Sequence, residues 1–347
     1  MGLLIYTDPH IGVNRTSNTT PASRQRLRDN IIKTVDGIVE LAQRNNHHLI
    51  CLGDLFDTYS NPESVIRQGM RIVEQTDLVL AGNHDVVADA DKTGSLELIR
   101  EQHPGKVIYA PFNQAHADVR TFDGIAVVAV PHVTTQELFR KSLVVALSKA
   151  SQMTGMTKIL CLHCNYESPH ELTETSLNLT AEVAEQLLET FDYIFLGHEH
   201  QPRELFGGRL IILGNVHPTG FSDISSKAIA IVDEAGVTFD QVWDYHAGYA
   251  ELDVNDPDGV VPATAQFIRV TGEVSSDAIA AASKRVSGLW KAGPDLLAVK
   301  SEVRVTDTQQ QDTSGIEVTA ETLPALVERE LASDPAMKAM WQEFTAC

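Results

Sequence analysis

The sequence predicts an α/β fold, followed by a smaller α/β unit and by helices at the C-terminal end. Three observations predict it. Over residues 1–245, short apolar runs alternate with segments of helical periodicity. Each informative polar cluster sits where an apolar run stops, which is where layered α/β architectures build their sites. A second strand–helix–strand pattern then occupies 265–305, and the composition turns polar after it.

Residues 3–7 (LLIYT) form an apolar run that stops at Asp8, as a first buried strand would. In 24–45, Leu27, Ile31, Ile32, Val35, Ile38, Val39 and Ala42 recur at helical spacing. Residues 48–52 read as a strand ending at Gly53-Asp54, and 77–81 as another ending at Gly82-Asn83. Further strands are expected at 107–109, 125–130, 158–163, 193–196, 209–213 and 227–232, with helices near 64–75, 136–150 and 180–189. In the second unit, 265–271 (AQFIRVT) and 297–305 (LAVKSEVRV) are strands around a helix at 275–291. Residues 306–315 (TDTQQQDTSG) have linker composition. Two amphipathic helical patterns close the sequence. One carries Leu323, Leu326, Val327 and Leu331, the other Met337, Met340, Trp341 and Phe344.

The composition excludes several classes. Hydrophobic residues make up 43% of the 347 positions, yet no run reaches the roughly 18 apolar residues of a membrane span. The opening Met-Gly-Leu-Leu-Ile-Tyr has no basic residue before its apolar run, which reads against a secretory signal, and Tyr6 stands where a myristoylation signal needs Ser or Thr. Four cysteines give no disulfide framework. The expectation is a cytoplasmic protein with no membrane partner. The formal charge is −20, from 27 basic and 47 acidic residues, so nucleic acid is repelled at long range. A DNA substrate would need local basic contacts, metal ions or a partner protein.

Five clusters carry the chemistry: TDPHIG (7–12), GDLFD (53–57), GNHD (82–85), LHC (162–164) and GHEH (197–200). Their polar content is Asp8, His10, Asp54, Asn83, His84, His163, His198 and His200. Carboxylate oxygens, imidazoles and one amide oxygen suit first-row divalent ions such as Mn²⁺, Fe²⁺ or Zn²⁺. In Asp-x-His and His-x-His on extended chain, residues i and i+2 point the same way and reach one centre. A carboxylate at Asp54 is placed to bridge two ions at the roughly 3.5–4 Å separation of two-metal hydrolytic sites. Any one cluster alone is more often a turn or a surface histidine. Five in this order, each after an apolar strand, are not.

The pattern D-x-H, G-D-x-x-D, G-N-H-D, H, G-H-x-H resembles the calcineurin-like metallophosphoesterase superfamily. The resemblance implies a four-layer α-β-β-α sandwich and two divalent ions, Mn²⁺ first, with Fe²⁺, Zn²⁺ and Mg²⁺ as alternatives. It implies Asp8, His10, Asp54 and His200 on one ion and Asp54, Asn83, His163 and His198 on the other. His84 would face the scissile phosphate and serve the leaving group, with Asp85 orienting it. GDLFDTY and GNHD depart from the protein-phosphatase branch, which carries Gly-Asp-x-Val-Asp-Arg-Gly and Gly-Asn-His-Glu.

TDPHIGV, HHLICLGDLFD, GNHD, GHEH and ILGNVHPTGFSD together resemble the SbcD-type DNA-repair and recombination nucleases, most closely the type found in T-even phages. That resemblance implies a nuclease domain (1–245), a capping domain (246–305), a linker (306–319) and C-terminal helices (320–347) that bind the coiled coil of an SbcC-like SMC/ABC ATPase. It also implies DNA exo- and endonuclease activity and a homodimer. Arg15 and His217 are candidate substrate contacts, alongside Arg24, Arg26 and Arg28 near the motifs. The alternatives are a phosphodiesterase of nucleotides or other small phosphoesters, or a weakly active scaffold that regulates the ATPase.

CLHCN (161–165) looks at first like a cysteine pair. Side chains on a strand alternate faces, so Cys161 and Cys164, three apart, point to opposite sides and His163 alone belongs to the metal set.

Overall fold

A computed structural model describes residues 2–89, 91–168, 177–223, 225–256 and 260–306. In chain order the first half runs β1 (Leu3–Tyr6), α1 (Pro21–Asn45), β2 (His48–Cys51), α2 (Glu63–Gln75), β3 (Leu78–Leu80), α3 (Ser95–Gln102), β4 (Val107–Ile108), β5 (Asp118–Phe122), β6 (Ile125–Val130) and α4 (Gln136–Ala150). It continues through β7 (Thr157–His163), a short pair β8 (Asn165–Tyr166) and β9 (Asn178–Leu179), α5 (Ala181–Leu188), β10 (Tyr193–Gly197), β11 (Arg203–Leu205) and β12 (Leu210–Ile212). Then come β13 (Lys227–Asp233), β14 (Gly236–Trp243), the single turn α6 (Tyr245–Gly248), β15 (Tyr249–Asp253), β16 (Phe267–Thr271), β17 (Glu273–Val274), α7 (Ile279–Ala292), β18 (Ala298–Ser301) and β19 (Arg304–Val305).

Two six-stranded sheets form the main body. One is ordered β14-β13-β1-β2-β3-β4, the other β11-β12-β10-β7-β6-β5. Their facing surfaces bury Leu3, Ile5, Ile50 and Leu52 from the first sheet against Val127, Ile159, Cys161 and Phe195 from the second. The outer face of the first sheet packs on α1, α2 and α3 through Val35, Ile38, Ile72, Val73 and Ile99. The outer face of the second packs on α4 and α5 through Phe139, Leu143, Ala146 and Leu187. This is the expected α-β-β-α sandwich. The central strands are apolar on both faces because each face is covered.

Local chemistry sets the elements that carry the site. Thr20 and Ser23 form a reciprocal capping box at the start of α1, with Pro21 in its first turn, and Asn46 ends the helix in the left-handed conformation (φ 53°). The parallel neighbours β1, β2 and β3, and in the other sheet β6, β7 and β10, all deliver their C-terminal ends to one edge of the sandwich.

In the second unit β16 lies between β15 and β18, all parallel, with α7 crossing from β16 to β18. Its core holds Ile268, Val270, Leu289, Leu296 and Val299. The strand expected at 297–305 is divided, β18 pairing with β16 and β19 with β17. Phe267, Leu297 and Ala298 also pack against Val13, Leu27 and Ile31 of the main body, joining the two units. Among the described residues, no helix is long and apolar enough to cross a membrane. Residues 307–347, which include almost all of the expected linker and both C-terminal helices, lie outside the described residues.

Candidate metal centre

The loops after β1 and β2 run side by side. Asp8 donates its N–H to the Gly53 carbonyl (3.1 Å), His10 to that of Asp54 (3.1 Å), and Ile11 to that of Leu55 (2.9 Å). Asp8 (φ 52°), His10 (φ 47°), Asp54 (φ 47°) and His198 (φ 87°) all adopt left-handed backbone. Non-glycine residues held this way cost free energy, and they concentrate where a site over-determines the chain. The glycines before the acidic and histidine residues answer a spacing need. A Cβ on Gly82 would overlap Asp54 Oδ1 and the Asp54 main-chain nitrogen.

Three ligand groupings result, each with donor atoms within 4.8 Å of one another: Asp8, His10 and His200; Asp54, His163 and His198; and His10, Asp57 and His84. The first two fall within the ligand sets that the family resemblance implied. Asn83 Oδ1 lies 3.0 Å from His163 Nε2 and 2.7 Å from His198 Nδ1. Asp54 Oδ1 lies 3.3 Å from His163 Nε2 and accepts the His84 main-chain N–H at 2.9 Å. Asp8 accepts the Thr7 hydroxyl and the His198 N–H.

The donor set fits divalent cations on proton bookkeeping alone. His163 commits its Nδ1–H to the Leu52 carbonyl (2.9 Å), so the neutral ring turns a lone pair on Nε2 toward two acceptor oxygens, Asn83 Oδ1 and Asp54 Oδ1. His200 commits Nδ1–H to Asp223 (3.1 Å), so its Nε2 lone pair meets His10 Nε2 at 3.0 Å. His10 Nδ1 and Asp57 Oδ1 are buried without hydrogen-bond partners. Lone pairs that converge in this way need a positive charge between them, which a proton or a divalent cation supplies.

Without a metal ion, a proton on His163 takes the place of the cation. Burial presses the His163 imidazole down, yet the Asp54 carboxylate outweighs it and holds His163 up to about 9. Burial presses Asp54 up, and His163 and His10 overcome it to hold that carboxyl well below the usual range. Burial pushes His10 down to about 3 and His198 down to about 4, leaving both neutral and able to act as ligands. Burial raises Asp8.

Two expectations need correction. Asp85 does not orient His84. Its carboxylate turns inward and accepts the main-chain N–H groups of Leu55 (3.2 Å), Phe56 (3.0 Å) and Gly82 (3.0 Å), tying the GDLFD and GNHD loops together. His84 instead donates Nδ1–H to the Asp57 carbonyl at 2.6 Å. His217 does not face the substrate side. It is only 3% exposed, with Nδ1 on the Pro218 carbonyl (2.8 Å) and its ring beside Trp243. Arg15 is half exposed and pairs with Asp57 at 3.6 Å.

Four residues escaped the sequence reading. Asp223 holds His200 and is itself held by the Thr219 N–H (2.7 Å), the Thr219 hydroxyl and Asn215. Asp57 supplies both the carbonyl for His84 and a carboxylate 3.7 Å from His10 Nδ1. Lys227, buried in the sandwich, donates Nζ to the His200 carbonyl at 3.0 Å. His132 is buried at the end of β6. GFSD and the second Asp of GDLFD lie in quoted motifs, so Asp223 and Asp57 were the two within reach.

An α-β-β-α sandwich with two carboxylate–imidazole clusters at one strand edge defines a metal-dependent hydrolase of phosphoesters. The chain belongs to the calcineurin-like phosphoesterase family, whose model matches residues 1–202, and that family uses a dinuclear centre of divalent metals. No curated protein matches the sequence. Among solved structures, a Staphylococcus aureus protein named as a 5′-nucleotidase is 13% identical (TM-score 0.45), over 69% of this chain and 52% of its own. A dimetal phosphatase from Danio rerio is 12% identical (TM-score 0.43; 70% of this chain, 95% of its own). Purple acid phosphatase PPD1 from yellow lupin (Lupinus luteus) is 12% identical (TM-score 0.42; 70% and 51%). The chain spans about half the length of the first and third of these.

Proposed function

We propose that the protein is a two-metal nuclease that hydrolyses DNA phosphodiesters in the cytoplasm, as the nuclease subunit of an SbcC/SbcD-like ATPase–nuclease pair in recombination and repair. The observation that carries the DNA reading is a cleft of about 330 Å³ between the main body and the second unit. His200 lies on its wall next to Arg15, and Lys300 from β18 faces the same space. On a chain of net charge −20, Arg15 and Lys300 are held at this cleft by Asp57 (3.6 Å) and Glu302 (2.5 Å), and an extended polyanion running out from the metal set would reach both, as a compact phosphomonoester would not. The second unit (246–305) then serves as the capping domain. Residues 306–319 are the linker, 320–347 bind the ATPase coiled coil, and two copies pair as a dimer.

Asp8, His10, Asp54 and His200 would hold one ion, and Asp54, Asn83, His163 and His198 the other, Mn²⁺ being the first candidate. Bound there, the ions supply Lewis-acid charge at the phosphate and water of lowered pKa. The chain does the rest. Asp54 fixes the spacing of the two ligand sets through the hydrogen bond it accepts from the His84 N–H and its contact with His163. His84, with Nδ1–H anchored on Asp57, presents Nε2 to the site, and in its imidazolium form it gives the Nε2 proton to the leaving oxygen. Asp223 fixes which nitrogen of His200 is available.

The test is incubation of the purified protein with linear DNA and Mn²⁺, then with EDTA, and with a nucleotide phosphoester alongside. Mn²⁺-dependent, EDTA-sensitive cutting of DNA is the expected result. Hydrolysis of the small phosphoester without DNA cutting would replace this reading with the phosphodiesterase one.

A further inference from the structure

Next to the metal set lies a cavity that the hydrolytic chemistry leaves unused. Two residues past His84, Val86 and Val87 line one wall of a space of about 130 Å³. Residues 109–114 of the loop after β4, together with His132, line it as well. The His132 N–H donates to the Ala81 carbonyl at 2.8 Å, which fixes it beside the strand that delivers Asn83 and His84. His132 thus links the cavity to the metal set, since it lines the cavity and lies within electrostatic reach of His163, Asp54, His198 and His84.

Its lining indicates what it would take. The charged groups are already paired, Lys92 with Asp89 at 3.2 Å and Glu97 with Arg100 at 3.4 Å, so it has no spare cation for a phosphate. Neutral polar groups and rings remain. The Tyr109 ring is capped on one side by the Arg100 guanidinium at 5.2 Å, and its hydroxyl accepts the Val87 N–H at 3.4 Å. Phe112 keeps 45% of its surface exposed on the same wall. A single exposed aromatic is ordinary on a protein surface. On the wall of a polar cavity, such a ring offers a flat face on which a base can stack. Asn113 holds left-handed backbone (φ 54°) and accepts the Thr134 hydroxyl on Oδ1 at 3.1 Å, leaving its amide N–H₂ as a donor. The volume is well below the roughly 300–1,000 Å³ that encloses a drug-sized ligand, which suits one flat ring system.

We propose that this cavity is a nucleobase subsite, taking the base of the nucleotide next to the scissile phosphate, stacked on Phe112 and hydrogen-bonded by Asn113. The proposal rests on the nuclease reading above and adds to it how one nucleotide is seated. A base held there aligns its own phosphate with the metal set and spares the enzyme from reading sequence, because every base offers a flat face.

The test uses the full chain in EDTA, so binding is read without turnover. dAMP and deoxyribose 5-phosphate are titrated in parallel into wild type, Phe112→Ala and Asn113→Gly, with melting temperatures confirming that the variants fold. Wild type should prefer dAMP. Phe112→Ala should weaken dAMP about tenfold, the lower part of the range for one stacked base, Asn113→Gly should weaken it by about threefold to tenfold, the worth of one hydrogen bond, and both should leave deoxyribose 5-phosphate as it was. Equal binding of the two probes by wild type, or undiminished dAMP binding by Phe112→Ala, overturns the subsite. Competition by linear DNA identifies the occupant as a strand terminus, and dAMP binding that DNA does not displace identifies a free nucleotide. Phe112-dependent dAMP binding in a protein that cuts no DNA with Mn²⁺ keeps the subsite and removes the DNA reading. DNA cutting with base-blind binding does the opposite.

Discussion

His84 Nδ1 donates to the main-chain carbonyl of Asp57 at 2.6 Å, and this one bond fixes the direction of the imidazole proposed as the proton donor. A carbonyl only accepts, so Nδ1 carries the hydrogen and Nε2 is the atom turned to the site. Nε2 lies 4.0 Å from Asp54 Oδ2, close to the metal set without belonging to its core, and the side chain is 38% exposed, which leaves it open to a substrate.

His84→Ala should therefore keep both metals and lose about 10²–10⁴-fold in hydrolysis, the usual worth of a positioned proton donor. Asp54→Ala should lose metal as well, since Asp54 contacts both ligand sets. Metal content by elemental analysis, measured on the same samples as Mn²⁺-dependent cleavage, separates the two. A fully active His84→Ala protein removes the role assigned to it.

Asp223→Asn should lower metal affinity by about 10–100-fold with the fold intact. The carboxylate sets the His200 tautomer through a 3.1 Å bond, and partners of this kind typically have that effect. An amide in its place can turn its N–H₂ toward Nδ1, which reverses the proton arrangement and turns Nε2 into a donor. Competition against a chelator measures the loss, and wild-type affinity in the variant would show that Asp223 serves only its own loop.

Much of this site was legible because its ligands end strands. An apolar run that stops at Gly-Asp, Gly-Asn or Gly-His marks a buried strand whose last residues emerge at one edge, so Asp54, Asn83, His163 and His198 fell out of the pattern. The misreadings came from directions that a linear pattern does not carry. Asp85 neighbours His84 in sequence, yet consecutive residues of a tight turn point apart, and its carboxylate answered three main-chain N–H groups instead. His217 also follows an apolar strand, but its loop folds back and packs the ring against Trp243. The Asp57 carbonyl was invisible because a backbone acceptor has no residue type. In the fold, β5, α3 and β14 were missed. β5 and β14 are half-exposed sheet-edge strands whose apolar residues are interrupted by Asp118, Arg120 and Thr121 in one and by Thr238, Asp240 and Gln241 in the other, and α3 is only eight residues long.

Gly82→Ala should abolish metal binding while most of the fold survives. The added methyl would occupy the place of Asp54 Oδ1 and of the Asp54 nitrogen, so either the shared carboxylate or the GNHD loop must move. Forcing an extra methyl into such packing costs about 1–3 kcal/mol. Far-ultraviolet circular dichroism should change little, and a calorimetric titration with Mn²⁺ should show no binding. Retained binding would mean the loop relaxes more easily than its contacts suggest.

Deleting 316–347 should leave metal binding and hydrolysis of a small phosphodiester in place and abolish co-purification with an SbcC-like ATPase. The metal set, the cleft and the second unit all lie before residue 306. Unchanged capture of the ATPase by the truncated protein would move the partner surface onto the described body.

His217 offers a pH test of stability that is separate from the metal ligands. Burial lowers its pKa from 6.5 to about 4, against the opposing pull of the Pro218 carbonyl, so the folded chain takes up this proton later than the unfolded chain does. Above pH 6.5 both states are neutral at this position and the residue makes no pH-dependent contribution. Between 6.5 and 4 the unfolded state binds the proton and the folded state does not, so stability falls as the pH drops. At about 1.4 kcal/mol per tenfold change in proton affinity, the depression is worth about 3 kcal/mol across that window. His217→Gln fills similar space and has nothing to titrate. Urea unfolding at several pH values between 7 and 4 should show wild type losing about 3 kcal/mol more than the variant. Parallel losses in the two proteins would mean that His217 is protonated in the folded state and makes room for its charge.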